Sequence, residues 1–247
     1  MFHKYFILLL LAHVVGEFYA QTVCMAKKKE ESLKWVFFHN ICYLVTGMVI
    51  AIPVISREIA LVVSIVAVLH TLIDVITYRY ISIMKKRYLM TRMMDRNIFF
   101  ISQALHLTCL VMVSYLFTIN DGTVLINRTI TQFFDTLGIP EMRLASWLIA
   151  LLVVHKPANT AISKLLLIYK QEGCGTDSNA GSFIGTVERI IILIFLATKQ
   201  YSAIGLVLTA KSIARYDKIS KDRDFAEYYL LGTLLSTMIV IVVSFII

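Results

Sequence analysis

His13, Glu17 and Gln21 fall at i, i+4 and i+8, the spacing that lines one face of a helix. His70 and Asp74 repeat the i, i+4 relation, Gln103 and His106 stand at i, i+3, and His39 is alone near the start of another apolar run. Each lies within a stretch of Leu, Ile, Val and Phe. Ionisable groups in a membrane-spanning segment are costly and face the bundle interior, which makes each a functional candidate. Several imidazoles with two carboxylates suit a divalent cation: Zn²⁺ ahead of Mn²⁺ or Fe²⁺. In that chemistry His13, His39, His70 and His106 are ligands, Glu17 and Asp74 are ligands or a catalytic base, and Gln21 and Gln103 orient them. The plainer alternative is packing glue, a hydrogen bond across two helices worth about 1 kcal/mol. His3 is terminal and expected in solvent. His155, next to Pro157, is expected to satisfy loosened backbone.

A second group stands near the C-terminus. Glu188 and Arg189 are adjacent, so about 100° apart around a helix and badly placed to pair with each other. Lys211 and Arg215 share one face at i, i+4 and repel unless acids lie opposite. Glu188 and Glu227 are the acids available, and cross-helix ion pairs are expected; snorkelling of the two cations to headgroups is the alternative. Gly181 and Gly185 form a GxxxG pattern suited to close helix packing rather than to cradling a phosphate.

The elements that position these groups follow from composition. The 247 residues are 58% hydrophobic and 16% charged, too apolar for a soluble domain. The fold class is all-α, a polytopic transmembrane helical bundle. Runs of about 20 apolar residues can be placed near 5–25, 34–54, 58–80, 97–118, 144–169, 183–199, 201–217 and 225–247, about eight helices. The fifth is interrupted by His155-Lys156-Pro157-Ala158-Asn159 and could be two shorter helices. The whole chain, 1–247, reads as a single integral membrane domain, its 1–118 half bearing the histidines and carboxylates and its 144–247 helices the Glu/Arg/Lys cluster.

Charge orients the chain. Lys27, Lys28, Lys29 and Lys34 follow the first helix, Lys85 to Arg96 the third, Lys170 the fifth, and Lys218, Lys221 and Arg223 the seventh. The even-numbered loops carry a weak balance of signs. By the positive-inside rule the basic loops are cytoplasmic and both termini face outward. A signal peptide is disfavoured for the first helix because its lysines follow the apolar run and His13 and Glu17 interrupt it. Counted at about 1.5 Å per residue from the cytoplasmic helix ends, the polar side chains lie roughly 6 to 18 Å deep and can share one layer. The net charge of +8 reads as contact with membrane lipids, with no nucleic-acid module in view. Cys24, Cys42, Cys109 and Cys174 lack metal-site spacing and are expected to be free thiols. Asn127-Arg128-Thr129 matches a glycosylation sequon, a pattern frequent by chance.

Residues Leu11 to Thr22, LAHVVGEFYAQT, resemble the opening helix of the bacterial membrane family DUF 3307, whose members commonly read LAHxxGDFxxQ. A lysine-bearing loop, a histidine on the second helix, HxxxD on the third and DQxxH on the fourth complete that pattern. This chain supplies Lys27 to Lys29, His39, His70 with Asp74, and Gln103 with His106. Gly181 to Arg189, Lys211 to Arg215 and Glu227 to Thr233 are similar to the C-terminal pattern of many members. Glu17 replaces the usual aspartate, and Ser102 stands where a fourth-helix aspartate is common, which weakens a two-metal reading. The resemblance implies a bacterial cytoplasmic (inner) membrane protein; its HxxxD helices also resemble membrane-bound metal-dependent hydrolases. The sequence therefore points to a membrane-embedded metal-dependent hydrolase whose site faces the cytoplasmic leaflet and suits an amphiphilic substrate. Two alternatives stand beside it: a transporter or channel using the polar layer as an ion or proton relay, and a non-catalytic membrane partner protein.

Overall fold

A computed structural model describes residues 1–120, 123–169 and 179–247, so Lys170 and Cys174 lie outside the described residues. Among the described residues the regular structure is helical: α1 Phe2–Val14, α2 Val23–Lys29, α3 Leu33–Ala51, α4 Arg57–Lys86, α5 Arg92–Ile119, α6 Arg128–Leu137, α7 Glu141–Leu166, α8 Asn179–Ala197, α9 Tyr201–Ile213, α10 Tyr216–Lys221 and α11 Arg223–Ser244. Their starts are written in the sequence. Thr22, Ser56, Thr91 and Asp222 each cap a helix by accepting from the backbone N–H three residues on. Pro53 sits in a short 3₁₀ turn that ends α3, and Gly138, at φ 67°, closes α6 in the left-handed conformation.

Of the eight spans expected, four described helices are long and apolar enough to cross a membrane: Leu33–Val54, Arg57–Lys86, Arg92–Ile119 and Arg223–Ser244. A fifth arises only if α6 and α7, bent by 85°, count as one. The expected 201–217 span stops early, because α9 has 13 residues and reaches only about 20 Å at 1.5 Å per residue. The first expected span, 5–25, also ends sooner. After α1 the backbone passes through a π-turn, Val15–Tyr19, where Ala20 N–H donates to Val15 O at 2.8 Å, and then bends before α2. The predicted break in the fifth helix is absent, since α7 runs unbroken through Pro157.

The chain divides into two compact units, Met1–Ile149 and Ala150–Ile247. In the first, α1, α3, α4 and α5 pack together, with α2 against α3. Gly47 lets α3 approach α4, where an added Cβ would lie 3.0 Å from Val63 Cγ1. Tyr5, Leu9, Val36, Ile59 and Leu110 are buried, while Val45, Leu72, Ile76 and Ile101 are exposed on outer faces. Apolar outside and polar inside is the arrangement lipid demands, and in water such a surface would drive aggregation. In the second unit α11 packs on α8 and α10, and α9 on α8.

Candidate metal centre

Helices α1, α3, α4 and α5 each carry a histidine into the middle of the first unit. His13, His39, His70 and His106 are all at most 3% exposed, and Asp74 is 4% exposed. The rings form a contiguous aromatic block: His70 stacks on His106 at 4.1 Å and on Tyr43 at 3.9 Å, and His13 sits edge-on to His106 at 5.4 Å. His13, Tyr43, His70, His106 and Cys109 close around a tight crevice with no room for a free water molecule.

The hydrogen bonds fix which ring nitrogens carry protons. Asn40 Nδ2 donates to Val36 O at 2.9 Å and to Asp74 Oδ2 at 3.1 Å, which uses both its N–H groups. Its Oδ1 must then accept from His70 Nδ1, 2.9 Å away. His70 Nε2 faces Glu17 Oε2 at 3.3 Å, and in the neutral ring it sets a lone pair against that oxygen. A lone pair against a carboxylate oxygen in low dielectric calls for a cation, either a proton or a metal ion. His39 behaves differently. Its Nε2 lies 3.0 Å from Glu17 Oε2 while its Nδ1 is buried without a partner, so the proton belongs on Nε2, where it donates to Glu17.

Two overlapping sets of ligand atoms result. One ring nitrogen from each of His13, His70 and His106 lies within 4.8 Å of the others, and so do a Glu17 carboxylate oxygen and one ring nitrogen from each of His39 and His70. The first set is the better nitrogen site. His13 Nε2, His70 Nε2 and both nitrogens of His106 have no hydrogen-bond partner, and His13 Nδ1 is 3.3 Å from the Tyr43 hydroxyl, which can orient it. In the second set His39 would have to give up its only donor contact.

Sequence reasoning missed three members of the centre: Lys29, Asn40 and Tyr43. Lys29 extends from the end of α2 to place Nζ 2.8 Å from Asp74 Oδ2 and 4.0 Å from Glu17 Oε1. Burial alone would lower its pKa, but Glu17 and Asp74 together raise it above the ordinary lysine value. The signal was available, since two carboxylates in apolar helices require a cation and Lys29 belongs to the nearest basic run. Gln103 donates to Glu17 Oε1 at 3.3 Å. Gln21 does not join: the π-turn breaks the i, i+4, i+8 stripe, Gln21 falls in the bend after it, and its Oε1 is buried without a partner.

The match to a family model covers residues 5–133. The chain belongs to the family described as protein of unknown function (DUF3307). The DUF3307 match encloses every residue of this centre, from His13 to His106, whereas the similar C-terminal stretches beyond Gly181 lie outside it. No curated protein and no solved structure matches the chain.

In the second unit Glu188, 6% exposed, meets Lys211 Nζ at 2.6 Å. The rest of the predicted cluster is arranged otherwise. Glu227 pairs with Arg223 on its own helix at 3.2 Å, exposed, because α11 offers that cation one turn away. Arg215 is exposed and lies over the Tyr229 ring at 6.0 Å. Arg189, 2% exposed, pairs with no acid; its guanidinium donates to Val154 O at 2.6 Å, Asn159 Oδ1 at 2.5 Å, Thr186 Oγ1 at 3.2 Å and Ser236 Oγ at 3.3 Å. Proline takes the donor from the carbonyl four residues back, that of Val153, and Arg189 binds the neighbouring carbonyl of Val154. Arg189 thus ties α8 to the α7 backbone one turn before the proline, while His155 is exposed. Gly185 leaves the room, since a Cβ there would lie 3.3 Å from Arg189 Nη1.

Proposed function

We propose that the chain is a membrane-embedded metal-dependent hydrolase, with a divalent ion, Zn²⁺ ahead of Mn²⁺ or Fe²⁺, held by His13, His70 and His106. The observation that carries this reading is three imidazoles from three helices that each offer a ring nitrogen within 4.8 Å of the others, every one of the three rings having a nitrogen without a hydrogen bond. A three-histidine set leaves a fourth position for water or substrate, the pattern of catalytic rather than structural zinc. The two carboxylates then divide the work. Asp74 is paired with Lys29 and steadies His70 through Asn40. Glu17, gripped by His39 and Gln103 beside His70, is placed to take the proton from the attacking water and return it to the leaving group. Glu17 and Lys29 are the partly exposed edge of the centre, at 11% and 16%. With the α2 lysines on the cytoplasmic side, a polar headgroup enters there and the apolar remainder stays in lipid, which suits an amphiphilic ester, amide or phosphodiester.

Protein purified without chelators is expected to carry about one equivalent of metal, lost in His13→Ala, His70→Ala and His106→Ala. Glu17→Gln should keep the metal while losing hydrolysis of a panel of amphiphilic esters, amides and phosphodiesters. Wild type that binds no metal even after incubation with Zn²⁺, Mn²⁺ or Fe²⁺ overturns the reading. The Lys29–Asp74–Asn40–His70 chain, with links of 2.8 to 3.1 Å, would then favour the second reading, an ion or proton relay of a transporter.

A further inference from the structure

Helix α6 keeps an apolar face that the rest of its unit leaves bare. Ile130, Phe133, Phe134 and Leu137 fall at i, i+3, i+4 and i+7, one stripe of a helix, and Arg128, Gln132 and Asp135 lie on the opposite face. No residue of α6 is buried. Phe133 is 60% and Leu137 53% exposed, and the Phe133 ring sits edge-on to Phe134 at 5.6 Å.

The surroundings of the helix say what covers this stripe. Asn127 N–H donates to Pro53 O at 2.9 Å, and the Asn127 side chain accepts from Thr129 N–H at 3.0 Å, so α6 starts against the turn between α3 and α4. From the α2 lysines α3 runs away, α4 returns to Lys85 and Lys86, and α5 runs away again to end at Ile119. All three are long and apolar enough to span, so the α3–α4 turn and the end of α5 mark one face of the membrane. Ile52 and Ile55, on either side of Pro53, are 62% and 54% exposed, which carries the lipid-facing surface of α3 up to the start of α6. The helix itself cannot cross. Its ten residues reach about 15 Å against a hydrocarbon core of about 30 Å, and it is bent by 85° from α7. Two bare side chains also fall far short of the roughly 800 Å² per partner that a stable protein interface needs.

We infer that α6 is a membrane-surface helix, lying in the headgroup layer of the leaflet opposite the α2 lysines, with Phe133 and Leu137 sunk into the top of the acyl chains. Arg128, Gln132 and Asp135 then face headgroups and water.

The test places a single tryptophan in the full chain, reconstituted in phosphatidylcholine vesicles. In a Trp35→Phe, Trp147→Phe background, Phe133→Trp is compared with Gln132→Trp on the opposite face. Phe133→Trp is expected to lose about half its emission when the lipid carries bromine high on the acyl chains, several-fold less with bromine near the chain ends, and little to aqueous acrylamide. Gln132→Trp should respond to acrylamide and to neither lipid. Equal acrylamide quenching at the two positions overturns the inference, because α6 then stands off the bilayer. Stronger quenching from the chain ends than from the upper acyl carbons overturns it too, by making α6 part of a span. So does a probe at position 133 shielded from lipid and acrylamide alike, the mark of a protein partner such as a second copy of the chain. If Phe133→Trp fails to fold, Leu137→Trp on the same stripe takes its place, and the same outcomes decide.

Discussion

An added Cβ at Gly16 would sit 2.7 Å from Tyr43 Cδ2, and Tyr43 cannot retreat because its ring is stacked on His70. Gly16→Ala is therefore expected to cost about 1–3 kcal/mol by overpacking, read as a lowered unfolding midpoint in detergent. Asn40 holds His70 in one tautomer, so Asn40→Leu should weaken metal binding about 10–100-fold while leaving the three ligands in place; competition with a chromogenic chelator measures it. Removing Lys29 leaves Asp74 buried without its cation. Lys29→Ala is expected to lose about 3–5 kcal/mol. The pH dependence follows from the raised pKa of Lys29 in the folded chain. Its contribution is complete below the unfolded lysine value of about 10.5 and fades as pH climbs through the higher folded value. A wild-type stability curve that falls in that alkaline range, flattened in Lys29→Ala, is the expected outcome. Histidines and carboxylates were legible in the sequence because lipid makes them conspicuous. Asn40 and Tyr43 were not, since an asparagine and a tyrosine are ordinary where they stand until the fold brings them to Asp74 and His13, and Lys29 could be reached only by asking which cation the buried carboxylates need.

At the scale of elements, the i, i+4 reading held where the helix is α and failed where it is not. His70 and Asp74 both face the centre from α4, and His106 and Gln103 do so from α5. The π-turn at Val15–Tyr19 changes the phase of α1 after His13, and no spacing rule based on 3.6 residues per turn could place Gln21. Pro157 misled in the other direction: a proline predicts a break, but α7 runs on through it, with Arg189 of α8 bound to the neighbouring Val154 carbonyl. Arg189→Lys keeps the charge but cannot serve four acceptors from one ammonium, and should destabilise the chain by about 2–3 kcal/mol. An unfolding midpoint unchanged by Arg189→Lys would mean that these four contacts add nothing to stability.

For the whole molecule, hydropathy recovered the class of fold, and of the eight apolar runs it placed, four described helices, or five with α6 and α7 taken together, are long and apolar enough to cross a membrane. The charge-derived orientation has a natural probe in Cys24, exposed on α2 beside the lysine run. In a chain keeping Cys24 as its one cysteine, membrane-impermeant maleimide is expected to react only from the cytoplasmic side; reaction only from outside would invert the topology. The central claim, that His13, His70 and His106 hold a metal at the heart of the first unit, is tested most directly by X-ray absorption at the metal edge of protein purified from membranes without chelators. The account expects a first shell of nitrogen and oxygen at about 2.0–2.2 Å, with outer-shell scattering from three imidazoles, and loss of the metal edge itself in His106→Ala. A shell dominated by sulfur near 2.3 Å, as Cys109 would give, or the absence of any bound metal, would contradict it.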